Sequence, residues 1–274
     1  MKVRTDRDST FRIVRIYYNE AHAVGGDLMS VEFERGRAPR RQRPPRPGEW
    51  RAVFPEEGQT FDDYAATCAN RRAPGRQVFY LRPLGDAERL WGPLLELLRA
   101  YVEAFFQAPA RLLESLPVAE GTLDSTRLLG ELSRGTPADA LGVLGVTDRP
   151  LGALGMRFVF GESRLGGPAG VASLARLATP DGELFLRRAL RLTTHELGHV
   201  LGIRHCIFYE CVMEGANSLA EADRHPLEPC PVDARKLRWN LGFDPSARER
   251  ALEKFFRETA AGPKRYGDAA ARKA

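Results

Sequence analysis

Five residues between positions 195 and 205 have types and spacing that could hold a metal ion and use it. His195 and His199 lie four residues apart, so on a helix both imidazoles project from the same face. Gly202 can adopt a positive φ, which would end that helix and return His205 as a third ligand. Three neutral imidazoles suit zinc and leave a fourth position for a water, whose pKa the metal lowers to about 7. Glu196 is placed to take a proton from that water rather than to bind the metal.

The length of this pattern makes it specific. A bare His-Glu-x-x-His arises by chance in many sequences, whereas a glycine and a third histidine at fixed offsets add two further requirements. Three of the five histidines of the chain fall inside the pattern. The competing interpretation is a buried amphipathic helix whose histidines align by coincidence.

Three of the four cysteines cluster directly after the pattern. Cys206 follows the third histidine, Cys211 comes five residues later, and Cys230 stands three residues before Asp233. Reduced thiols inside a cell favour zinc over disulfides. A disulfide between Cys206 and Cys211 is the alternative, but no export signal supports it. Cys68 is remote from the cluster and is interpreted as a small hydrophobic residue.

These residues together form the pattern of a known family. The run His-Cys-x4-Cys-x-Met, followed by a loop and then Cys-x-x-Cys, is the pattern of the archaemetzincins, which this chain resembles. Met213 stands eight residues after the third histidine, where metzincins carry their Met-turn, and we expect it to pack beneath the histidines. The resemblance covers about residues 76–262, with a weaker similarity at 47–50 and 59–61. Within it, similar segments are 144–148, 158–162, 173–177 and 217–226.

The resemblance implies two zinc ions, one catalytic on three histidines and one structural on four cysteines. In this chain Asp233 stands where the family has its fourth cysteine. Aspartate binds zinc at about 2.0–2.2 Å, but it is a harder ligand than a thiolate. We therefore predict a structural zinc on Cys206, Cys211, Cys230 and Asp233. The alternatives are that Asp233 only caps a helix at 234–241, or that His225 replaces it as a ligand.

The resemblance also implies the fold, an α/β (α+β) arrangement. It is a metzincin-like mixed β-sheet backed by helices, with a smaller, mostly helical C-terminal subdomain. Alternation of strands and helices along the chain favours the same arrangement. The expected strands are 77–82, 110–113, 141–147, 156–160 and 171–177, with a loop at 166–170 and the last strand at the sheet edge, where a substrate could pair. The expected helices are 61–70, 86–107, 125–133 (capped by Asp124 or Ser125), 183–201, 233–241 and 246–259.

Three parts of the chain are expected. Residues 1–75 form an N-terminal accessory segment with a possible strand at 11–18 and a mobile, Arg/Pro-rich linker at 35–47. Residues 76–262 form the catalytic domain, and residues 263–274 form a flexible tail. The linker lacks the interleaved aromatic residues that stack on bases.

Composition limits the expected domain size, cellular location and partners of the protein. The chain of 274 residues is 43% hydrophobic, which is enough for one sizeable domain. It has no signal-peptide core and no apolar run long enough to span a membrane, so a cytoplasmic location is expected. The net charge is +5, and the basic residues are mostly arginine. We attribute this preference for arginine to genomic composition rather than to nucleic-acid contact, and we expect no nucleic-acid partner. The oligomeric state is not determined by the sequence.

The resemblance implies a zinc metallopeptidase that acts on a peptide or protein substrate. Some archaemetzincins resemble aminopeptidases and others are poorly active on ordinary substrates, so exo- and endopeptidase activity are both open. The alternative is a zinc-stabilised binding protein or a latent pseudo-peptidase with little turnover. The presence of Glu196 argues against that alternative, because a structural site does not need a base.

Overall fold

The structure, a computed structural model, describes residues 13–17, 38–153 and 156–259. The expected tail at 263–274 lies outside these ranges, as do the first three residues of the expected linker and both ends of the expected strand at 11–18. No helix in the described ranges has the length and apolarity needed to cross a bilayer.

In the described ranges, the centre of the fold is a mixed sheet of eight strands. The strands are β1 (Ile13–Tyr17), β3 (Val78–Leu84), β4 (Ala110–Leu112), β5 (Leu123–Asp124), β6 (Ala140–Thr147), β7 (Leu151–Ala153), β8 (Met156–Arg164) and β9 (Ala169–Ser173). The spatial order of the sheet is β4-β3-β6-β9-β8-β7-β5, and β1 pairs with β8. A separate two-stranded sheet joins β2 (Arg40–Arg41) to β10 (Tyr209–Glu210). The predicted mixed sheet is therefore confirmed.

Strand β6 shows why this sheet is buried on both faces. All eight of its residues are buried, and it pairs in parallel with both β3 and β9. A continuous apolar run is typical of a parallel strand with helices on both sides. Val143 packs into the core on one face of the sheet, and Leu144 packs into the larger core on the other.

The last predicted strand is wrong in both position and environment. We expected 171–177 at the sheet edge, but β9 is Ala169–Ser173 and lies between β6 and β8, so an extended peptide cannot pair with it. The cause is the glycine-rich run at 166–170, which we interpreted as a loop. Gly170 lies inside the strand, opposite Ser163 of β8. Only glycine fits there, because a Cβ would collide with the Ser163 side chain. Strand β8 also continues past the predicted residue 160, to Arg164.

Eight helices surround the sheet in the described ranges. They are α1 (Trp50–Val53), α2 (Phe61–Thr67), α3 (Ala87–Phe106), α4 (Ser125–Arg134), α5 (Gly182–Val200), α6 (Leu219–Ala222), α7 (Pro231–Leu241) and α8 (Pro245–Thr259). Side chains of α3, α5 and α8 share the larger core, whereas α4 packs on the opposite face. Asp124 caps α4 by accepting from the backbone NH of Arg127, as predicted, and Asp181 caps α5. The described residues after α5 form three helices and the short strand β10, so this part is mostly helical, as predicted.

Hydrogen bonds hold the described part of the expected linker, residues 38–47, against the rest of the protein. Strand β2 pairs with β10 in the loop that follows α5, and the backbone NH of Gln42 donates to the carbonyl of Phe208 at 3.1 Å. Arg43 forms two hydrogen bonds with Glu49, at 2.9 and 2.6 Å. The expectation of a mobile linker at 35–47 is therefore wrong for residues 38–47. Its extended backbone pairs as an edge strand, and acidic residues offset its charge.

Candidate metal centre and active site

The three motif histidines converge on one point. One ring nitrogen from each of His195, His199 and His205 lies within 4.8 Å of the others, and all three side chains are buried. His195 and His199 project from adjacent turns of α5, with their Nε2 atoms 2.8 Å apart. The helix ends at Val200, and Gly202 follows with a φ of +87°, as its predicted role in the turn requires.

The hydrogen bonds of the first two histidines show which ring nitrogens are bare, that is, carry no proton. His195 Nδ1 lies 2.8 Å from the carbonyl oxygen of Val212, and His199 Nδ1 lies 2.7 Å from that of Ile203. A carbonyl only accepts, so each Nδ1 carries the proton and donates it. Burial lowers the pKa of His195 and of His199 well below the usual value for histidine, and neighbouring imidazoles lower it further. Both rings are therefore neutral, with unprotonated Nε2 atoms.

These bare nitrogens fit a metal ion. Two Nε2 lone pairs at 2.8 Å repel each other unless a cation lies between them. His205 Nε2 is buried without a hydrogen-bond partner, and the His205 ring belongs to the same convergent set. Three imidazoles are a donor set typical of zinc, and the residues present therefore fit that ion.

Glu196 lies beside this centre with one oxygen held and the other unpaired. The hydroxyl of Ser163 on β8 donates to Glu196 Oε2 at 2.6 Å, whereas Oε1 is buried without a partner. Burial raises the pKa of Glu196 to about 8, and the hydrogen bond from Ser163 opposes that rise. A cation at the histidine nitrogens would also favour the carboxylate. An unpaired, buried carboxylate oxygen is placed to receive a proton.

Strand β8 is shaped to fit this carboxylate. The register of β1 against β8 moves by one residue between Arg15↔Glu162 and Tyr17↔Val159, so β8 carries a bulge there. Within this bulge, Gly161 lies so close to Glu196 that a Cβ would stand 2.7 Å from its Cδ. Sequence reasoning missed the roles of Gly161 and Ser163. The signal that could have found the first is a glycine inside a strand pattern.

Met213 packs against the turn of α5 that carries the histidines. It is 1% exposed, and its thioether lies against Gly198, where an added Cβ would stand 2.8 Å from the Met213 Cε. Its carbonyl accepts from the backbone NH of Cys206 at 2.9 Å, which joins the Met213 turn to the residue after the third histidine.

The cysteine cluster forms a second convergent set. One ligand atom from each of Cys206, Cys211, Cys230 and Asp233 lies within 4.8 Å of the others, and all four residues are buried. Cys206 Sγ is 3.7 Å from Cys230 Sγ, and Asp233 Oδ2 is 3.5 Å from Cys211 Sγ and 3.4 Å from Cys230 Sγ. All the cysteines are free thiols, so the alternative disulfide between Cys206 and Cys211 is not formed.

Asp233 is not the cap of the helix that follows it. Helix α7 begins at Pro231, and its N-cap is Cys230, whose sulfur accepts from the backbone NH of Asp233 at 3.4 Å. Asp233 Oδ1 accepts instead from the buried ammonium of Lys236 at 2.8 Å, while Oδ2 faces the thiols. Burial raises the pKa of Asp233 to about 6, and Lys236 opposes that rise. The arrangement fits a metal ligand that the Lys236 ammonium holds in place.

His225 belongs to neither cluster. Its Nδ1 is 2.9 Å from the guanidinium of Arg191, so it accepts there, and its Nε2 lies 3.1 Å from Glu214 Oε2. The alternative of His225 as a ligand of the second site is therefore wrong. Cys68 also lies apart from the cluster, 3.4 Å from the side-chain amide of Asn240.

Comparisons with known proteins agree with this geometry. The family model for peptidase family M54 matches residues 128–239. The structure resembles the crystal structure of archaemetzincin from Archaeoglobus fulgidus, solved with malonate, at 35% identity and a TM-score of 0.51, over 58% of this chain and 99% of that one. It also resembles archaemetzincin from Methanopyrus kandleri, at 30% identity and a TM-score of 0.54, over 63% of this chain and 99% of that one.

The chain belongs to the archaemetzincin family. It is also similar to Archaemetzincin-2 of Rattus norvegicus, at 28% identity over 78% of this chain and 74% of that protein. It is accordingly a zinc metallopeptidase, and its substrates are peptides.

An apolar cavity lies along α5 in this archaemetzincin, and none of its lining residues is a motif histidine or Glu196. Leu192 stands three residues before His195, so the cavity lies one helical turn from the first histidine. The residues that line it are Phe160, Leu177, Arg187, Arg188, Arg191, Leu192, Leu219, Ala222 and Asp223.

The sequence reasoning also missed contacts from the N-terminal segment. Glu56 lies 3.0 Å from His205 Nδ1, and Gln59 bonds the carbonyl of Gly202 at 3.1 Å. Neither residue lies within the part of the chain that the family model matches. The weak similarities at 47–50 and 59–61 were the signals that pointed to this segment.

Proposed function

We propose that this archaemetzincin hydrolyses peptide bonds with zinc held by His195, His199 and His205 and with Glu196 as the general base. The observation that carries this proposal is the buried, unpaired Oε1 of Glu196 beside three convergent imidazoles. A structural metal site needs no such oxygen, so the alternative of a binding protein without turnover leaves it unexplained.

Each residue has a separate task in this mechanism. Zinc, when bound, supplies a Lewis acid that polarises the scissile carbonyl and makes a water more acidic. Glu196 Oε1 accepts a proton from the attacking water and later gives it to the nitrogen of the leaving amine. Ser163 holds the other oxygen and so fixes the direction in which Oε1 points. Val212 and Ile203 hold the imidazoles through their carbonyls, so that Nε2 faces inward.

The apolar cavity along α5 is proposed to take a substrate side chain. It lies one helical turn before His195, on the same face of α5, and its walls include Phe160, Leu177 and Leu192. A side chain adjoining the scissile bond could reach it while the carbonyl lies at the metal. We therefore expect cleavage next to an apolar residue.

We propose that a second zinc is held by Cys206, Cys211, Cys230 and Asp233. Hydrogen bonds from the neighbouring thiols lower the pKa of Cys230, whereas burial raises that of Cys211. Because Cys206 directly follows His205, this ion would brace the loop that carries the third histidine. The zinc content of the purified protein, expected at two ions per chain, tests this count.

A mixed peptide library with free and blocked N-termini tests the proposed activity. The zinc-loaded protein is incubated with the library and the fragments are identified by mass spectrometry. Cleavage restricted to free N-termini would identify an aminopeptidase, and cleavage of blocked peptides an endopeptidase. Absence of cleavage by protein containing zinc would overturn the proposal in favour of a binding protein or latent pseudo-peptidase.

Replacing Gly161 by alanine should displace the general base without removing the metal. The added Cβ would overlap the Glu196 carboxylate and push it from its hydrogen bond with Ser163. We expect kcat to fall about 100-fold, as for other displacements of about 1 Å at a reacting group, with zinc content unchanged. Gly92→Ala in α3 is the matched control, because a Cβ there meets open space. Equal kcat for the two variants would contradict the assigned position of Glu196.

A further inference from the structure

We propose that Glu56 is the positioning residue for the third zinc ligand, so that the N-terminal segment completes the metal centre. Both carboxylate oxygens of Glu56 lie 3.0 Å from His205 Nδ1. The inference rests on the proposed binding of zinc by His205, whose other ring nitrogen, Nε2, is buried without a hydrogen-bond partner.

The Glu56 contact differs in kind from those of the other two histidines. His195 and His199 donate to neutral backbone carbonyls, whereas His205 meets a carboxylate. A carboxylate fixes the tautomer and orientation of the ring and increases the basicity of the nitrogen that binds the metal. It also offsets part of the charge of a dication held by three neutral ligands. Glu56 therefore acts on the metal through His205 and does not touch the reacting atoms.

Trp50 holds Glu56 in place. Its indole NH donates to Glu56 Oε2 at 2.9 Å, and its ring meets His205 edge-on at a centroid distance of 4.9 Å. Trp50 is 2% exposed, and its backbone NH donates to Glu221 Oε1 at 2.9 Å. A Cβ on Gly215 would stand 2.6 Å from the indole, so the loop after Met213 approaches the ring as closely as only a glycine allows.

Gln59 fastens the same segment to the turn before the third ligand. Its side-chain NH2 donates to the carbonyl of Gly202 at 3.1 Å, and its oxygen accepts from the backbone NH of Arg204 at 3.1 Å. The segment from Trp50 to Gln59 thus contacts His205 and the backbone that delivers it. Retention of the metal should therefore depend on residues about 150 positions away from the motif in sequence (149 for Glu56 and His205).

Zinc affinity of the full chain tests this inference without relying on turnover. Zinc dissociation constants would be measured by chelator competition for wild type, Glu56→Ala and Glu56→Gln. The adjacent, exposed Glu57 supplies the matched control as Glu57→Ala. We expect Glu56→Ala to weaken the binding of the catalytic zinc about 10- to 100-fold, as the loss of a hydrogen-bond partner of a metal-binding histidine typically does. Glu56→Gln should weaken it less, because the amide oxygen still accepts from Nδ1.

Two further readouts separate positioning from general stability. The visible spectrum of the cobalt-substituted protein should change in Glu56→Ala and stay as in wild type in Glu57→Ala, because the geometry of one ligand is altered. The Tm of the metal-free protein should be the same in both variants. Equal zinc affinity in the two variants, or a lower metal-free Tm in Glu56→Ala that accounts for its loss of zinc, would overturn the inference. Failure of wild type to bind zinc at the histidines would instead overturn the proposed function.

Discussion

Replacement of Glu196 by glutamine is expected to leave both metal sites filled and to reduce peptide hydrolysis about 100- to 10,000-fold, the usual contribution of a general base. Glutamine has nearly the same shape, so it fits beside Gly161 and can still accept from Ser163. Its amide cannot take a proton from water at neutral pH. The loss should therefore be in kcat, measured on a peptide that the wild type cleaves, with zinc content determined on the same samples.

A second glutamate on the same helix controls for the loss of charge. Glu183 lies in the first turn of α5, three turns before the motif, and Glu183→Gln should keep wild-type turnover. Glu196→Gln with unchanged kcat would remove the general base from the mechanism. Loss of zinc from Glu196→Gln would instead point to a ligand role for this carboxylate.

Helices were predicted well because their signals are local. The active-site helix was expected at 183–201 and is Gly182–Val200, since apolar periodicity marks its body and Asp181 marks its start. Helix α7 was placed two residues late, because cysteine is not among the usual capping residues and Cys230 therefore gave no start signal. Short elements such as α1 and α6, four residues each, carry no periodic pattern and were not predicted.

Strand position depends on partners that the sequence does not reveal. Residues 171–177 have the composition of a strand, but β9 begins before residue 171 and pairs with both β6 and β8. This pairing depends on the close approach of Gly170 to Ser163, which the sequence does not reveal. The same limit applies to the site. The histidines and Glu196 lie within eleven residues and were found from spacing alone. Glu56 and Ser163 come from distant segments, so only the fold brings them to the centre.

Asp233→Asn should be strongly destabilising, because one carboxylate serves both the thiols and a buried cation. The ammonium of Lys236 is 2% exposed and lies 2.8 Å from Asp233 Oδ1, with Gln59 as its other partner at 3.2 Å. Removing one partner of a buried ion pair typically costs about 3–5 kcal/mol. The asparagine variant should also lose the second zinc, because a neutral amide replaces a charged ligand. Chemical denaturation, with and without a zinc chelator, measures both effects.

The two contributions can be separated with Lys236→Met. In that background the unpaired ammonium is absent, so any remaining effect of Asp233→Asn reports on the metal. We expect wild type and Lys236→Met to lose stability on addition of chelator, and both chains that carry Asp233→Asn to respond much less. If the asparagine variants keep two zinc ions per chain and full sensitivity to chelator, Asp233 is only the partner of Lys236. The second site would then be held by Cys206, Cys211 and Cys230 without it.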